Sequence, residues 1–442
     1  MARARRRKLP AEPVVAGISD LGHDGRGVGR VDDKAIFVHG ALPGETVRAR
    51  VVGRNRRYDE ALCEEVIEPS PDRVEPACAW FDQCGGCALQ HLAHHAQLTF
   101  KHKRLVDNLA RIGEVEPDQW LPPLAAEPWF YRRRSRLSAR LVAGKGRVLV
   151  GFREKQGRFV ADVGHCRVLH PDFSHRLDSL SALIGSLSVA DAVPQIETAS
   201  GDDGSAIVIR HLRELTSDDV MRLKQWSETE GIAVYLQPKG PDTVHRLWPE
   251  VHQLSYRLEA FDLSLAFHPQ HFIQVNAGLN QLLVEQAVAL LAPGPDERVL
   301  DLFCGLGNFT LPLARQAGSV TGVEGSAALI EAARANASAN GLDNVEFDVA
   351  DLAEDVSARP WYRQGFDAAL IDPPRSGAFE ILPVVAGSGA RRLVYVSCNP
   401  ATLARDAGEL VRRHGFRLTS AGIADMFPHT AHVESIALFE RT

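Results

Sequence analysis

The stretch RVLDLFCGLGNFTLPLA, residues 298–314, joins an apolar run, a glycine-rich turn and a second apolar run. The first run predicts a buried strand carrying Asp301 near its end, and the second predicts a helix. Gly305 and Gly307 allow the backbone of the turn to approach a ligand closely. This order predicts a nucleotide-type pocket, although a lone turn of this kind could equally bind the phosphates of a dinucleotide.

Strand-like and helix-like segments alternate from about residue 266 to the end of the sequence. This alternation predicts an α/β fold with a largely parallel, doubly wound sheet, whose ligands lie beyond the carboxyl ends of its strands. Acidic residues end or follow four of the predicted strands: Asp301, Glu324, Asp351 and Asp372. Any one of these carboxylates alone is more typical of a surface loop. Four in register predict one binding edge, with Glu324 placed for a ribose diol and Asp351 for an adenine amino group.

The segment YVSCNPATLARD, residues 395–406, places Cys398 where a predicted strand stops and a helix begins. Its thiol could be a packing group, a metal ligand or a nucleophile. A helix N-terminus lowers the pKa of a thiol, so we expect Cys398 to be activated there. Glu434 lies in a later strand-like segment and is the candidate proton acceptor, its alternatives being a strand-edge carboxylate or a partner for His432.

The composition is that of a globular chain with more than one domain. The sequence has 442 residues, a 45% hydrophobic fraction and a formal net charge of −6, and one core rarely serves so long a chain. No apolar run approaches the roughly 20 residues that span a bilayer, and the N-terminus lacks the apolar part of a secretory signal. We therefore expect a cytoplasmic protein without a membrane partner.

The first part of the chain predicts a small all-β unit with basic surroundings. Five short strand-like runs separated by turns occupy residues 13–68, which favours an OB-like barrel, with an SH3-like adaptor barrel as the alternative. Arg and Lys cluster in residues 3–8, 48–57 and 131–140. Each cluster alone is typical of a solvated surface, but three together indicate nucleic acid.

Three cysteines, Cys78, Cys84 and Cys87, lie within ten residues. Their spacing indicates a metal site that needs a fourth ligand, for which Cys166 is the candidate. Spacing alone leaves zinc open, with His165 as a substitute ligand, and mildly favours an iron–sulfur cluster. Cys63 and Cys304 are expected to be packing residues.

The segments DLFCGLGNFTLPLA, SCNPATLARD, DMFPHTAHVES and HFIQVNAGLNQ together resemble the RNA uracil-5-methyltransferases. With the barrel and the cysteine cluster, the likeness is strongest to the iron–sulfur-containing branch that modifies the uridine numbered 1939 in 23S rRNA. The resemblance runs from about residue 13 to the C-terminus. It implies a class I methyltransferase fold with a Rossmann-like doubly wound sheet, preceded by a TRAM-type RNA-binding barrel and a mixed α+β central domain.

The resemblance also implies functional residues. Cys398 would be the nucleophile and Glu434 the general base, with Asp372 in the uracil pocket. The cofactor S-adenosylmethionine would be bound by Gln274, Phe303, Asn308, Glu324, Asp351 and Asp372. The four cysteines Cys78, Cys84, Cys87 and Cys166 would hold a [4Fe–4S] cluster with a structural role.

The expected domains are a barrel over 10–69, a central domain over 75–265 and a methyltransferase domain over 266–442, with a helical segment at about 91–120 packing on the last. The expected partner is 23S rRNA, whose target uridine must leave its stack. Phe272 and Tyr131 are candidate stacking rings, although core packing is the usual fate of such aromatics, and a monomer is expected. The alternatives are methylation of another rRNA site or of tRNA, and a non-catalytic RNA-binding assembly factor.

Overall fold

The computed structural model describes residues 9–441, so the basic N-terminal cluster lies outside the described residues. The chain forms two compact units. The first is Met1–Arg104 with Phe427–His432, and the second is Leu105–Met426 with Val433–Thr442. The division into three domains that the sequence suggested stays a prediction. Within the described range, no helix is long and apolar enough to cross a membrane.

The first unit contains a closed five-stranded barrel. Its strands are β1 (Val14–Leu21), β2 (Gly27–Val31), β3 (Lys34–His39), β4 (Thr46–Arg54) and β5 (Tyr58–Glu68). Their order around the barrel is β1-β2-β3-β5-β4, and every pair is antiparallel except β3 with β5. Apolar residues alternate along the strands and fill the interior. The predicted OB-like barrel is confirmed.

A helix and an ordered loop complete the first unit. The helix α1 (His94–Asn108) begins in this unit. Leu89, Leu92 and Phe100 pack with Ala431, which belongs to the loop Phe427–His432. That loop is further fixed by Gln97, whose side chain accepts the His429 N–H at 2.9 Å.

The second unit begins with a series of strands and helices. In chain order it has β6 (Gln119–Trp120), β7 (Arg134–Val142), β8 (Arg147–Gly151), α2 (Pro171–Ser174), α3 (Leu177–Gly185), β9 (Gln195–Ser200), β10 (Ser205–Arg210), α4 (Ser217–Glu230), β11 (Ile232–Gln237) and β12 (His245–Trp248). Strands β7 to β12 form one sheet in the order β12-β11-β10-β9-β7-β8. A hairpin of β13 (Leu254–Leu258) and β14 (Leu263–Phe267) follows.

The remaining elements form an α/β sheet. They are α5 (Ala277–Leu291), β15 (Arg298–Leu302), α6 (Thr310–Ala314), β16 (Ser319–Glu324), α7 (Ala327–Ala339), β17 (Val345–Val349), β18 (Ala368–Ile371), α8 (Leu382–Gly387), β19 (Arg392–Ser397), α9 (Pro400–His414), β20 (Arg417–Ala424) and β21 (Glu434–Glu440). The strand order is β17-β16-β15-β18-β19-β21-β20-β6.

The first five strands of that order are parallel, whereas β21 lies antiparallel between β19 and β20. Strand β18 is buried at every position, as expected where helices cover both faces of a parallel sheet. The doubly wound sheet predicted from the sequence is therefore confirmed. Because its five parallel strands point the same way, their carboxyl ends share one edge, here called the rim.

Candidate active site

The four acids predicted at strand ends lie where the parallel strands reach the rim. Asp301 lies within β15, Glu324 is the last residue of β16, Asp351 comes two residues after β17, and Asp372 directly follows β18. The backbone N–H of Asp372 donates to Leu302 O at 3.3 Å, which ties the end of β18 to β15. The sheet register thus accounts for their common location.

The glycine-rich turn after β15 is shaped to leave backbone exposed to a ligand. Phe303, Gly305 and Gly307 all have positive φ, at 64°, 57° and 100°. A Cβ built on Gly305 would meet nothing within 4 Å among the described residues. The N–H of Phe303 donates to Val323 O at 2.8 Å, which fixes the turn against β16. This bare backbone surface suits a close-fitting nucleoside ligand.

Beneath the turn lies a buried acid. Asp301 is fully buried, and its Oδ2 accepts a hydrogen bond of 2.5 Å from the Thr310 hydroxyl. Its Oδ1 has no hydrogen-bond partner within residues 9–441. Burial, with Asp372 and Glu324 as further negative charges, raises the pKa of Asp301 to about 8. An unpaired oxygen at this depth fits a polar or charged group of a bound cofactor.

Asn308 is held by residues that the sequence interpretation did not single out. Its Oδ1 accepts hydrogen bonds from the Tyr256 hydroxyl at 2.8 Å and from Asn280 Nδ2 at 2.9 Å. Its Nδ2 donates to Asn280 Oδ1 at 3.0 Å. Gln274 is half-buried and lines a small cavity with Tyr256 and Asn280. Asn280 was within reach of sequence reasoning, because it lies in the quoted segment HFIQVNAGLNQ.

The two acids proposed for the ribose and the adenine differ in exposure. Glu324 is half-buried and accepts the Ser326 N–H at 3.0 Å. Asp351 is exposed and accepts the Ala353 N–H at 2.9 Å. Each carboxylate therefore accepts one hydrogen bond from the loop that follows it, and its remaining lone pairs can accept hydrogen bonds from a ligand.

The register of β19 and β21 makes Cys398 and Glu434 neighbours. Ser397 pairs with Ser435 in an antiparallel ladder, and the two functional candidates come one residue beyond that pair on each strand. Glu434 is 4% exposed and Cys398 is half-buried. Both interact electrostatically with Asp372. The structure thus brings all three predicted reaction residues together.

This group is acidic, and Arg375 is a cation that acts on Cys398 and Glu434. Burial raises the pKa of Glu434 well above its usual value, Asp372 raises it further, and Arg375 lowers it. Burial alone raises the pKa of Asp372 to about 7. Two carboxyl groups so close cannot both ionise cheaply. Burial and the neighbouring Asp372 therefore favour the protonated form of Glu434 in the ligand-free protein.

The expected activation of Cys398 by the helix N-terminus is wrong. Burial raises the pKa of the thiol from 9.0 to about 11, with Glu434 and Asp372 raising it further and Arg375 opposing them. The first turn of α9 is instead capped by Asn399, whose Oδ1 accepts the Ala401 N–H at 3.1 Å. Desolvation and two acids thus raise the pKa of this thiol although it lies beside a helix N-terminus.

The three clustered cysteines lie in a tightly turned loop of the first unit. The Cys84 N–H donates to Trp80 O at 2.8 Å, and the Gly86 N–H donates to the Cys84 sulfur at 3.4 Å. Cys166 belongs to the second unit, where its N–H donates to Ser174 O. No group of three or more His, Cys, Asp or Glu side chains in the described part of the chain is arranged to hold a metal ion.

The basic segments carry fewer available cations than their sequence indicates. In the barrel, Arg48 pairs with Glu65 at 2.8 Å and Arg50 with Glu64 at 2.5 Å. Of the two aromatic candidates for base stacking, Tyr131 is 6% exposed and Phe272 is 65% exposed. Tyr131 is thus a packing residue, while Phe272 presents its ring to solvent.

Comparison with known proteins agrees with this geometry. The family described as tRNA (Uracil-5-)-methyltransferase matches residues 207–442, and the TRAM domain matches residues 14–61. The chain is 53% identical over 438 residues to the 23S rRNA (uracil(1939)-C(5))-methyltransferase RlmD of Alkalilimnicola ehrlichii, covering 99% of this chain and 98% of that one. It is 52% identical to the protein of the same name from Xanthomonas axonopodis pv. citri, over 100% of both chains.

The chain belongs to the RNA uracil-5-methyltransferase family. A solved structure of the Pyrococcus abyssi tRNA (uracil-54, C5)-methyltransferase in complex with S-adenosyl-L-homocysteine matches with a TM-score of 0.75 and 26% identity. That match covers 96% of this chain and 99% of the other. The predicted class I methyltransferase fold, preceded by a TRAM barrel, is confirmed for this family member, and so is its dependence on S-adenosylmethionine.

Proposed function

We propose that this family member methylates C5 of a uridine in 23S rRNA, at the position of the 1939 type. The full-length similarity to proteins that carry this name supports the substrate. The observation that carries the chemistry is the meeting of Cys398, Glu434 and Asp372 at the rim beside the glycine-rich turn. A scaffold protein has no need of a thiol beside two buried carboxyl groups.

S-adenosylmethionine supplies a methyl group on a positively charged sulfur. We propose that it is held by the glycine-rich turn with Phe303, by Asn308 and Gln274, and by the acids Glu324, Asp351 and Asp372. Support comes from the open space over Gly305 and from the unpaired oxygen of Asp301 among the described residues. Both features fit a compact, partly cationic ligand.

The nucleophile is needed because C5 of uracil is too weakly nucleophilic to take a methyl group unaided. Addition of the Cys398 sulfur to C6 forms an S–C6 bond and moves the C5–C6 π electrons towards O4, which makes C5 enolate-like. The thiol proton passes to a carboxylate, and Asp372 is the candidate acceptor because its pKa of about 7 leaves it partly ionised at neutral pH. C5 then forms its bond to the methyl carbon while the bond from that carbon to the sulfonium sulfur breaks, which leaves S-adenosylhomocysteine.

The reaction ends when a base removes the proton from C5. The C5=C6 bond re-forms, the C6–S bond breaks, and the thiolate leaves. Glu434 is the candidate base, since a carboxylate with a raised pKa binds a proton strongly once it is ionised. Arg375, and any positive charge that enters the site, favours that ionised form. The target uridine must be flipped out of its stack to reach this buried group.

The covalent step can be tested with RNA that contains 5-fluorouridine, whose C5 fluorine cannot leave as a proton does. The unaltered protein should form a stable protein–RNA adduct, and Cys398→Ala should form none. Cys63→Ser is the matched control, because Cys63 lies in the barrel strand β5, and it should form the adduct normally. With ordinary RNA, Glu434→Gln should accumulate methylated adduct. An adduct in Cys398→Ala, or normal turnover by Glu434→Gln, would remove the respective assignment.

We also propose that Cys78, Cys84, Cys87 and Cys166 hold a [4Fe–4S] cluster with a structural role. The support is the cysteine spacing, the family resemblance and the Gly86 N–H donated to the Cys84 sulfur, a kind of contact that tunes such clusters. Methyl transfer requires no redox step. Protein purified without oxygen should absorb at about 400 nm, and Cys84→Ser should lose that absorption while Cys63→Ser keeps it. Bound zinc without colour would overturn the proposal.

A second candidate substrate is tRNA, since the solved Pyrococcus abyssi structure bears that name. The lower identity of that match, 26% against 53%, favours rRNA. Methylation of 23S rRNA and of tRNA fragments by the same preparation would decide between them. An rRNA substrate would make the cytoplasm the site of action, and a monomer should suffice because all the reaction residues come from one chain.

A further inference from the structure

One arginine of the basic segment 131–140 differs from its neighbours. Arg133 pairs with Asp202 at 2.5 Å, and Arg134 and Arg136 share Glu197. Arg140, near the other end of β7, is exposed and forms no ion pair or side-chain hydrogen bond within residues 9–441. The sequence segment 131–140 is therefore largely neutralised by acids, and its available positive charge lies at Arg140.

Two further arginines converge on Arg140. Arg153 and Arg158 come from the turn that follows β8, closed by a bridge between Arg153 and Val160. Both are exposed and likewise have no carboxylate partner in the described part of the chain. The three side chains line one open cleft with a volume of about 500 Å³. Three uncompensated cations around one cleft stand out in a protein whose net charge is −6.

The floor of this cleft is apolar. Ala139, Val160 and Val193 line it and are 6%, 7% and 1% exposed. The one acid in the lining, Asp191, is paired with Arg213. The cleft therefore offers an apolar surface beside three arginines that form no ion pair within residues 9–441.

We propose that this arginine cleft binds a nucleotide segment of the substrate RNA away from the rim, with phosphates on the arginines and an unstacked base or ribose on the apolar floor. Guanidinium groups bind phosphate oxygens in a planar, bidentate manner. RNA recognition favours single-stranded segments whose bases are splayed out. The inference rests on the proposed RNA substrate and adds a second point of attachment for it.

The test compares two triple variants with the same change in net charge. The cleft variant is Arg140→Gln with Arg153→Gln and Arg158→Gln. The matched control replaces three exposed arginines that are already paired with acids and lie outside the cleft: Arg147→Gln, Arg413→Gln and Arg417→Gln. Fluorescence anisotropy with a 23S rRNA fragment containing the target uridine gives the affinity at several salt concentrations.

The cleft variant should bind the fragment at least about tenfold more weakly than the unaltered protein. The slope of log affinity against log salt should become shallower by about 0.7 for each phosphate that the variant no longer binds. Methylation of the fragment should show a raised KM with kcat unchanged, and the control variant should match the unaltered protein in every measurement.

An unchanged affinity and salt slope in the cleft variant would overturn the proposal. So would an equal weakening in the control, because the effect would then come from overall charge. S-adenosylhomocysteine binding reports whether each variant is folded, and a cleft variant that no longer binds it is replaced by the three single substitutions. Failure of the unaltered protein to methylate any RNA would refute the proposed function. The anisotropy comparison of the cleft and control variants would still test whether the cleft binds RNA.

Discussion

The raised pKa of Cys398 predicts how fast its thiol reacts with a small alkylating reagent. Iodoacetamide attacks thiolates, so the rate follows the thiolate fraction. A thiol with a pKa of about 11 instead of 9.0 has a thiolate fraction about 100-fold smaller at pH 8. A more basic thiolate is intrinsically more nucleophilic, which returns about a factor of ten at a Brønsted coefficient of roughly 0.45.

Cys398 in the folded, ligand-free protein should therefore react about tenfold more slowly at pH 8 than the same residue in urea-unfolded chain. Its rate should climb about tenfold per pH unit up to pH 9.5 without a plateau. Mass spectrometry of the peptide that contains Cys398 gives this rate separately from the other six cysteines. Asp372→Asn should raise the rate, because it removes an acid that raises the thiol pKa, and Arg375→Gln should lower it.

A plateau below pH 9, or a folded-state rate faster than that of the unfolded chain, would refute this reasoning. Either result would mean that the N-terminus of α9 dominates after all. Slow reaction that is insensitive to both Asp372→Asn and Arg375→Gln would show that access to the thiol, and not its charge state, limits the rate.

Three further predictions concern stability and binding. Asp301 is ionised in the unfolded chain, whereas in the folded protein its pKa is about 8. The free energy of unfolding should therefore fall as the pH rises from about 5 to 8. Urea titrations should show a smaller fall for Asp301→Asn. Gln97→Ala should lower the free energy of unfolding by on the order of 3 kcal/mol in the same titrations, because buried Gln97 donates to Leu89 O and Leu92 O and accepts the His429 N–H. The affinity for S-adenosylmethionine, measured by calorimetry, should rise between pH 6.5 and 8.5 more than that for S-adenosylhomocysteine, whose sulfur is uncharged, since ionised rim acids favour a sulfonium.

The sequence was sufficient for the features that depend on order along the chain. Alternating strands and helices imply parallel strands, and parallel strands bring Asp301, Glu324 and Asp372 to one edge without any knowledge of packing. The barrel was equally accessible, because its short alternating strands and turns are local features. Both predictions needed only the periodicity of apolar residues and the positions of glycines.

Features that depend on pairing distant segments were missed. Strand β20 was not recognised, and β6 has only two residues. The insertion of β21 between β19 and β20 places Glu434 next to Cys398, and no local pattern specifies that register. The hydrogen bonds of Asn308 to Tyr256 and Asn280 likewise join segments 52 and 28 residues away in sequence.

The sequence-based prediction of a lowered pKa for Cys398 was wrong because that pKa depends on several residues that only the fold brings together. A single helix N-terminus favours a thiolate by an amount that fades within one turn. Burial favours the neutral thiol instead, and the burial of Cys398 cannot be known before the position of β21 beside β19 is known. Asp301, Asp372, Glu434 and Cys398 all have pKa values shifted towards the neutral form. Arg375 lowers the pKa of Cys398 and of Glu434 but does not offset their desolvation, so the ligand-free protein favours the neutral forms of both groups. The reaction we propose requires an ionised base and a thiolate in turn, and such a rim becomes reactive only when positive charge enters it.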